Sequence, residues 1–254
     1  MASIDDATRA LAQRLNATAA VATVVSTETL SSSLVEVTLE VDPRLAGAPG
    51  NDVMVDVGRG RTLRRRYSVR RADPEASTLS VWVGVDHEGP GVDWVREVTP
   101  GDEVVAIGPR GQITLDPVAS WHLFCGDLSA LSAFSRMIEA LEPGREAFLA
   151  LEVDALDDAR APAPPAGVGL RCVLAERAGR AASDPAGLTR ALATLELPAG
   201  PGHAYLFGEF HVVRALRAHL ADRGLSEPAI SHKAYWRSGR ANADHGEPDK
   251  SEPA

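Results

Sequence analysis

The first half of the chain is dominated by short segments in which apolar and polar residues alternate. Between Val35 and Glu40 every second residue is apolar, and the same alternation runs from Leu79 to Val85. A period of two is typical of a strand that is buried on one face. Further strand-like runs, bounded by turn-forming residues, occupy residues 21–25, 53–57, 67–70 and 103–107. Closely spaced strands of this kind predict a small antiparallel barrel or sandwich, which we place at residues 18–117.

The pattern changes after Pro117, where short apolar runs begin to alternate with segments of helical periodicity. The apolar runs are residues 121–125, 148–153, 170–175 and 204–208. The helical segments are residues 129–142, 188–195 and 211–223. Strands that alternate with helices indicate a parallel sheet, so we predict a C-terminal α/β domain of the nucleotide-binding type over residues 118–240.

A short amphipathic helix is predicted ahead of the barrel, over residues 4–15. Ser3 is a suitable N-cap for it, and Asp5 and Asp6 would fall in its first turn, where negative charge is favourable.

Composition narrows the class of protein. The 254 residues are 44% hydrophobic and 24% charged, as in a globular protein, and the formal net charge of -9 argues against a nucleic-acid binder. Cys125 and Cys172 form neither a CxxC pair nor a metal-binding spacing, and because both lie in apolar runs we expect two buried thiols. Neither a signal peptide nor a membrane span is visible. We therefore expect a cytoplasmic protein, a monomer or weak dimer, with no metal site of its own.

Arginines are concentrated between residues 59 and 71. A solvated edge explains such a run as well as a site for an anionic ligand does, for example a pyrophosphate or a carboxylate-rich chelate. The seven are Arg59, Arg61, Arg64, Arg65, Arg66, Arg70 and Arg71.

Within this run, the segment Arg65-Arg66-Tyr67-Ser68 has the chemistry that a flavin requires. A flavin needs a cation for its pyrophosphate, a flat partner for its ring and a hydrogen bond near the reactive N5 atom. On an extended strand Arg65 and Tyr67 share a face, whereas Arg66 and Ser68 point the other way. Ser68 would then act through its backbone N–H, or through its hydroxyl at a bend. An ordinary edge strand remains the alternative interpretation.

Two further segments could complete such a site. In residues 87–95, glycines precede a helical start, and backbone N–H groups there can hold a phosphate, although a plain loop would look the same. In residues 231–240, Tyr235 and Trp236 are adjacent and have basic neighbours. They could pack over a flavin or line the mouth of a site for an anionic, aromatic chelate, or they could close the core from a last strand.

In this order, the segments resemble the siderophore-interacting protein family of ferric-siderophore reductases. The resemblance covers about residues 18–240, and the run Tyr235-Trp236-Arg237-Ser238-Gly239 is its most specific part. The other matching pieces are Arg65 to Arg70, Gly89-Pro90 with Trp94, Pro100-Gly101-Asp102, and Gly126 to Leu131. The resemblance implies a ferredoxin-reductase-like architecture, FAD bound in the barrel domain, and electrons from NAD(P)H or a ferredoxin.

The resemblance also implies roles for individual residues. Arg65 would contact the FAD phosphates, Tyr67 would pack on the isoalloxazine, and Ser68 would lie near N5, so that Tyr67 and Ser68 are the catalytic candidates. Further FAD contacts would come from Arg66, Val69, His87, Gly89, Pro90, Gly91 and Val92. In the α/β domain the cofactor would be met by Asp127, Ser129, Ala130, Tyr235 and Trp236. The siderophore would be received by Lys233 and Arg237.

Two loops depart from the family pattern. The usual Gly-Pro-Ala-Ser reads Gly89-Pro90-Gly91-Val92, and the usual Glu-Thr-Ala after Gly126-Asp127 reads Leu128-Ser129-Ala130. The first change removes a hydroxyl but keeps backbone donors, whereas the second falls on the expected nicotinamide contact. FAD binding is therefore better supported by the sequence than the choice of electron donor.

The leading hypothesis is FAD-dependent reduction of a ferric siderophore. Ferric iron suits the oxygen donors of catecholates and hydroxamates, and ferrous iron binds them less tightly, so reduction would release iron in the cytoplasm. Two alternatives stay open. One is a flavin reductase acting on a quinone, free flavin or small oxidant, and the other is a non-catalytic relative that only binds a ligand or partner.

Overall fold

The computed structural model describes residues 2–58 and 63–239. The chain divides into two compact units: one extends to Leu115 and includes Ser135–Met137, and the other begins at Asp116 and holds the remaining residues. The domain limits expected from the sequence, 18–117 and 118–240, stay a prediction. Arg59 and Arg61 of the arginine-rich run, and residue 240, lie outside the described residues.

The first unit is a closed antiparallel barrel of six strands. The order around the barrel is β1-β2-β5-β4-β3-β6. The strands are β1 (Thr18–Thr29), β2 (Leu34–Glu40), β3 (Asp52–Asp56), β4 (Arg64–Asp73), β5 (Thr78–Gly84) and β6 (Glu103–Arg110). Helix α1 (Asp6–Arg14) precedes the barrel, helix α2 (Pro90–Glu97) lies between β5 and β6, and a 3-10 turn covers Pro43–Ala46. The predicted antiparallel barrel is confirmed.

The barrel core follows the alternation seen in the sequence. Leu79, Val81 and Val83 of β5 are each at most 2% exposed and pack with Val37 and Leu39 of β2 in one apolar cluster. Side chains alternate along a strand, and on the other face of these strands the buried Ser80 hydroxyl donates to a Glu36 carboxylate oxygen at 3.1 Å.

The N-cap of α1 differs from the prediction. Asp5, not Ser3, caps the helix, and its side chain accepts a hydrogen bond from the Thr8 N–H at 2.7 Å. Asp and Ser cap equally well by intrinsic preference. Asp5 is the cap because the capping oxygen must reach the backbone N–H three residues later, and Thr8 is at that position in the first turn of the helix.

The second unit is a five-stranded parallel sheet with helices. The strand order is β11-β10-β7-β8-β9. The strands are β7 (Trp121–Asp127), β8 (Glu146–Val153), β9 (Gly169–Glu176), β10 (Gly202–Glu209) and β11 (Ile230–Trp236), and the helices are α3 (Leu131–Glu139), α4 (Ala186–Ala193) and α5 (Phe210–Asp222). The predicted α/β architecture is confirmed. Strand order reverses between β7 and β10, and open sheets of this kind bind ligands beyond the carboxyl ends of the strands at such a point.

The helices cover both faces of this sheet. Leu123 and Cys125 of β7 pack in a cluster with residues of α4 and α5, whereas the Phe124 ring between them lies 5.6 Å from the Phe134 ring of α3. Because side chains alternate along a strand, α3 lies on one face and α4 and α5 on the other. Helix α5 ends before Gly224, which has φ +92°, a conformation that suits the predicted helix stop.

One cysteine prediction is wrong. Cys125 is buried on the central strand β7, but Cys172 is exposed. Its strand, β9, is an edge strand that pairs only with β8 and is exposed over most of its length. The apolar run around Cys172 therefore marks a strand but not a buried one. Every helix in the described part of the chain is too short or too polar to span a membrane.

Candidate functional site

The barrel brings two of the predicted flavin segments together. If a Cβ were added to Gly91 at the start of α2, it would lie 2.6 Å from the Tyr67 hydroxyl and 3.7 Å from Cγ of Arg65. Arg65 and Tyr67 therefore approach the same point, as their shared strand face predicts. We call Arg65, Tyr67, Gly89, Pro90 and Gly91 the barrel site.

The Tyr67 hydroxyl is the notable polar group of this site. The oxygen is buried and has no hydrogen-bond partner among the described residues, and burial raises the pKa of the phenol. The ring stacks on Trp94 of α2, with centroids 5.9 Å apart and planes inclined by 29°. A buried hydroxyl normally finds a partner, because leaving it unpaired costs about 1–3 kcal/mol. A ligand atom would remove this cost.

The N-terminus of α2 is open for an anion. Gly89 is the N-cap, makes no side-chain capping hydrogen bond and has φ +148°. A Cβ built on Gly89 would meet no atom of the described residues within 4 Å, so these residues leave the space beside it open. Pro90 occupies the first turn, where its missing N–H costs nothing. Backbone N–H groups at such a helix start attract phosphate.

The other predicted barrel residues differ in how far their side chains are exposed. Arg66 pairs with Met54 and Ser68 with Asp52 across β3, and Ser68 is buried. The Val69 N–H already donates to the Asn51 carbonyl at 3.1 Å. His87 is exposed and lies 3.0 Å from an Asp86 carboxylate oxygen. Val92 is buried in α2 and its N–H donates to the Gly89 carbonyl at 2.9 Å, so neither its side chain nor that N–H is directed to a ligand.

At the carboxyl end of the parallel sheet, hydrogen bonds to Asp127 connect the ends of three strands. Its Oδ2 accepts the Trp236 indole N–H at 3.0 Å and the Glu209 backbone N–H at 2.8 Å. Its Oδ1 accepts the Ser129 backbone N–H at 3.0 Å and also the Ser129 hydroxyl. These residues end β7, β10 and β11, on either side of the point where strand order reverses. Both carboxylate oxygens of Asp127 are thus engaged by the protein itself.

Burial sets the electrostatics of this carboxylate. Asp127 is 6% exposed, and desolvation raises its pKa, although the hydrogen bonds from Ser129, Trp236 and Glu209 oppose that shift. Gly208 makes the close approach possible, since it has φ +136° and an added Cβ would lie 2.5 Å from Asp127 Oδ2.

Glu209 is a residue of this edge that the sequence analysis did not single out. It is 1% exposed, and one carboxylate oxygen caps α5 by accepting the His211 and Val212 backbone N–H groups. The other oxygen accepts the Ser238 N–H at 3.1 Å, which ties the last described segment to the sheet. The residues that signal an N-cap are Ser, Thr, Asp and Asn, so the sequence gives no capping signal at Glu209. We call Asp127, Ser129, Glu209, Trp236 and Ser238 the sheet-edge network.

The remaining predicted residues of the α/β unit lie beside this network. Ala130 is buried in a 3-10 turn. Tyr235 stacks on Phe207 at 5.3 Å, and Phe207 stacks on Phe134 at 5.2 Å, which extends an aromatic column from the core. Lys233 Nζ lies 5.8 Å from the Tyr235 ring centroid.

The guanidinium of Arg237 lies 4.8 Å from the centroid of the Phe210 ring. Arg214 lies one helical turn after Phe210 in α5, and its guanidinium is 5.7 Å from the same centroid. We call Phe210, Arg214 and Arg237 the Phe210 cluster. Phe210 and Arg214 were not singled out from the sequence, because nothing in it reveals that the chain beyond β11 returns to the start of α5.

The barrel site fits FAD by its own chemistry. It offers a buried hydroxyl that no described residue hydrogen-bonds, a helix start with an uncapped glycine, an arginine on the same face, and a glycine whose missing Cβ leaves room beside Tyr67. Within the described residues, no group of three or more His, Cys, Asp or Glu side chains could hold a metal ion.

A closed antiparallel barrel followed by a parallel α/β sheet is the ferredoxin-reductase-like fold. Residues 52–113 match the family model of the siderophore-interacting FAD-binding domain, and residues 119–239 match that of the siderophore-interacting protein. The chain belongs to the siderophore-interacting protein family, as its sequence resemblance predicted.

Relatives agree with this assignment. An uncharacterised protein of Mycobacterium tuberculosis is 33% identical over 187 residues, which are 69% of this chain and 65% of that protein. Ferric vibriobactin reductase ViuB of Vibrio cholerae is 28% identical over 182 residues, again 69% of this chain and 65% of the relative. The match thus spans just under two thirds of the length of these relatives.

Solved structures show the same fold. A siderophore utilization protein from T. fusca has a TM-score of 0.75 at 27% identity, covering 90% of this chain and 96% of that one. The ferredoxin reductase of carbazole 1,9a-dioxygenase has a TM-score of 0.72 at 18% identity, covering 87% of this chain and 70% of that one. At that identity the second likeness concerns the fold alone.

Proposed function

We propose that this chain is an FAD-dependent reductase that reduces a ferric siderophore and releases ferrous iron in the cytoplasm. The observation that carries the proposal is the barrel site in a domain of the FAD-binding family, where the buried Tyr67 hydroxyl has no hydrogen-bond partner in residues 2–58 and 63–239 and lies beside the start of α2. The name of the relative ViuB, ferric vibriobactin reductase, supports the substrate class.

Residues of the barrel would hold the cofactor. The Arg65 guanidinium would neutralise the pyrophosphate, assisted by the backbone N–H groups of Gly89 and Gly91 at the start of α2, since Pro90 has no N–H and the Val92 N–H donates to the Gly89 carbonyl at 2.9 Å. The Tyr67 hydroxyl would donate to, or accept from, a polar atom of the bound FAD, and Ser68 would contribute through its backbone because its side chain is buried. FAD held there would supply the conversion of a two-electron donor into the single electrons that a ferric acceptor needs.

The sheet-edge network would hold in place the strand ends of the α/β unit at which the electron donor binds. We assign NAD(P)H as the donor, with a ferredoxin as the other possibility, because the switch point of a parallel sheet is the usual place for a nucleotide. Asp127 would act as a positioning residue, since both of its oxygens are already engaged. Overall, one NAD(P)H would supply two electrons to two ferric ions, leaving NAD(P)⁺, two ferrous ions and a proton.

Iron enters this reaction as part of the substrate. Lys233 and Arg237 would attract an anionic chelate, because oppositely charged groups steer association over about a Debye length, roughly 8–10 Å. Reduction then weakens the hold of hard oxygen ligands on the metal, so that iron is released.

Reconstitution with FAD tests the cofactor part directly. The purified protein should acquire the flavin absorbance bands, and Arg65→Gln should weaken FAD binding by roughly tenfold or more, the value of one charge-assisted contact. The control is Arg44→Gln, because Arg44 is an exposed barrel arginine that pairs with Asp42 and should leave FAD affinity unchanged. A wild-type protein that takes up no FAD would remove the proposal.

A further inference from the structure

Three side chains at the amino end of the parallel sheet, opposite the sheet-edge network, form a Ser-His-Asp arrangement. Asp116 precedes β7, His203 is the second residue of β10, and Ser231 is the second residue of β11. Asp116 Oδ2 lies 3.0 Å from His203 Nδ1, and Ser231 Oγ lies 2.9 Å from His203 Nε2. The histidine therefore connects the carboxylate and the hydroxyl through its two different ring nitrogens. We call Asp116, His203 and Ser231 the triad.

The parallel register of the sheet brings these residues together. His203 and Tyr205 share one face of β10, and Tyr205 pairs with Ser231 on β11. Tyr205 also holds the third member, because its hydroxyl accepts the Asp116 backbone N–H at 2.7 Å. Asp116 Oδ1 accepts the Val118 N–H at 2.9 Å. Both oxygens of the carboxylate are thus fixed, and Oδ2 is directed at the histidine.

The hydrogen bonds decide which nitrogen of His203 carries the proton. The Val118 N–H is the chief group that holds the pKa of Asp116 below its ordinary value, so the carboxylate is ionised and can only accept. Burial lowers the pKa of His203, although Asp116 opposes that shift, so the imidazole is neutral near pH 7. The proton of the neutral ring is then on Nδ1, and the Nε2 lone pair accepts the Ser231 hydroxyl. This is the tautomer that a general base for serine requires.

Ser231 is placed where a small reagent can reach it. The residue is half-buried, whereas the His203 side chain is 9% exposed and is shielded from water. β11 is the first strand in the order β11-β10-β7-β8-β9, so no described strand covers its outer edge. A histidine that only ties the strands together would make the same two hydrogen bonds. The reactivity of the Ser231 hydroxyl distinguishes that role from a catalytic one.

We propose that the triad is an esterase site, in which Ser231 is the nucleophile, His203 the general base and Asp116 a positioning residue. This activity goes beyond the proposed reductase and needs neither FAD nor iron. The substrate class is the carboxylic ester of a phenol. Phenolate is a good leaving group, so such an ester needs less stabilisation of the transition-state oxyanion than an amide does.

The reaction has two steps. Ser231 Oγ attacks the ester carbonyl carbon while its proton moves to His203 Nε2, the bond to the phenol oxygen breaks, and the phenol leaves with that proton. An acyl group is then attached to Ser231 Oγ. In the second step His203 takes a proton from water, the hydroxide attacks the acyl carbon, and the Ser231 oxygen leaves and regains a proton. One water is consumed, and one phenol and one carboxylic acid form.

Covalent labelling of the unmodified full chain is the first test. An alkyl fluorophosphonate, which reacts with activated serines, should add one phosphonyl group per chain. Trypsin then releases residues 224–233, which contain Ser226 and Ser231, and fragmentation of this peptide in a mass spectrometer shows which serine is modified. We expect the label on Ser231. Ser226 is an internal control, because it is exposed and lies outside the triad.

Hydrolysis of 4-nitrophenyl acetate, followed by the release of 4-nitrophenolate, is the second test. Ser231→Ala and His203→Gln should each lower the rate above buffer by about 100-fold or more, because general base catalysis contributes about 10²–10⁴. Ser120→Ala is the matched control. Ser120 is exposed at the same end of the sheet, but its hydroxyl donates to the Pro201 carbonyl at 2.9 Å, which is not a base, so this variant should react like wild type.

Asp116 is tested by a pair of substitutions. Asp116→Asn can turn an amide N–H toward His203 Nδ1 and favour the wrong tautomer, so the labelling of Ser231 should slow by about 100-fold or more. Asp116→Glu keeps a carboxylate and should restore part of the labelling rate. If only the fold depended on this residue, both variants would label alike. Circular dichroism of every variant shows whether it is folded.

The outcomes separate the esterase site from the proposed reductase. A wild-type chain that stays unlabelled at Ser231 would overturn the inference, and this result needs no variant to be folded. Folded Ser231→Ala or His203→Gln protein that hydrolyses the ester like wild type would also overturn it, because other surface nucleophiles would then account for the reaction. Ferric reduction by FAD-loaded Ser231→Ala should equal that of wild type, since the triad takes no part in electron transfer.

Discussion

Replacing Trp236 with Phe tests how the sheet-edge network holds the last described segment. The change keeps an aromatic ring but removes the indole N–H that donates to Asp127 Oδ2 at 3.0 Å. A hydrogen bond to a charged group contributes about 1.5–3 kcal/mol. Because Asp127 is 6% exposed, water cannot easily replace the lost donor, so we expect Trp236→Phe to lower the unfolding free energy by about that amount at a pH where the carboxylate is ionised.

The pH dependence identifies the cause of this loss. Burial raises the pKa of Asp127 above its ordinary value of 3.8, so the folded protein is penalised as pH rises through the folded pKa and is relieved below 3.8. Removing a donor to the carboxylate raises that pKa further, and each unit is equivalent to about 1.4 kcal/mol. Over a titration from about pH 4 to about pH 7, the destabilisation by Trp236→Phe should therefore grow with pH, because the ionised fraction of the folded carboxylate grows.

Trp121→Phe is the matched control. Trp121 is buried in the same unit, and its indole N–H has no hydrogen-bond partner among the described residues. Its substitution should cost packing energy, with no pH dependence between those limits. Urea denaturation followed by far-UV circular dichroism gives both free energies. A Trp236→Phe loss that is flat with pH, like that of the control, would refute an ionised Asp127 as the partner of the indole.

Three other substitutions or reactions check separate parts of the structure. Gly91→Ala would place a Cβ 2.6 Å from the Tyr67 hydroxyl; it should lower both the melting temperature and the FAD content, and adding Tyr67→Phe should restore part of the melting temperature by making room. Gly208→Ala, at φ +136° and 2.5 Å from a buried carboxylate oxygen, should cost about 1–3 kcal/mol of unfolding free energy in a denaturant titration. An aromatic disulfide reagent should modify the exposed Cys172 but not Cys125 in the native protein, because Cys125 is buried and burial raises its pKa. If two thiols react without denaturant, the placement of Cys125 is contradicted.

The strands could be predicted because a strand that is buried on one face has apolar residues at every second position. Leu79, Val81 and Val83 alternate with polar residues for that reason, and the same periodicity placed Arg65 and Tyr67 on one face of β4. The exposure of Cys172 was missed because an apolar run does not reveal whether its strand is central or at an edge of the sheet.

Contacts between strand ends could not be predicted in the same way. The Asp127 carboxylate is satisfied by residues more than eighty positions away, Glu209 and Trp236, and only the parallel register of the sheet brings them together. The Phe210 cluster depends on the same register. The sequence shows that position 91 is Gly where the family pattern has Ala, but not that this glycine leaves room for the Tyr67 hydroxyl.

The central claim is that FAD bound in the barrel site lets this chain reduce a ferric siderophore. The most direct measurement loads the protein with FAD, reduces it under anaerobic conditions, adds a ferric tris-catecholate and follows ferrous iron with a ferrous-specific chelator. Two ferrous ions should form per bound FAD, faster than with free reduced FAD at the same concentration. A chain that retains no FAD, or one that forms ferrous iron no faster than the free cofactor, would contradict the account.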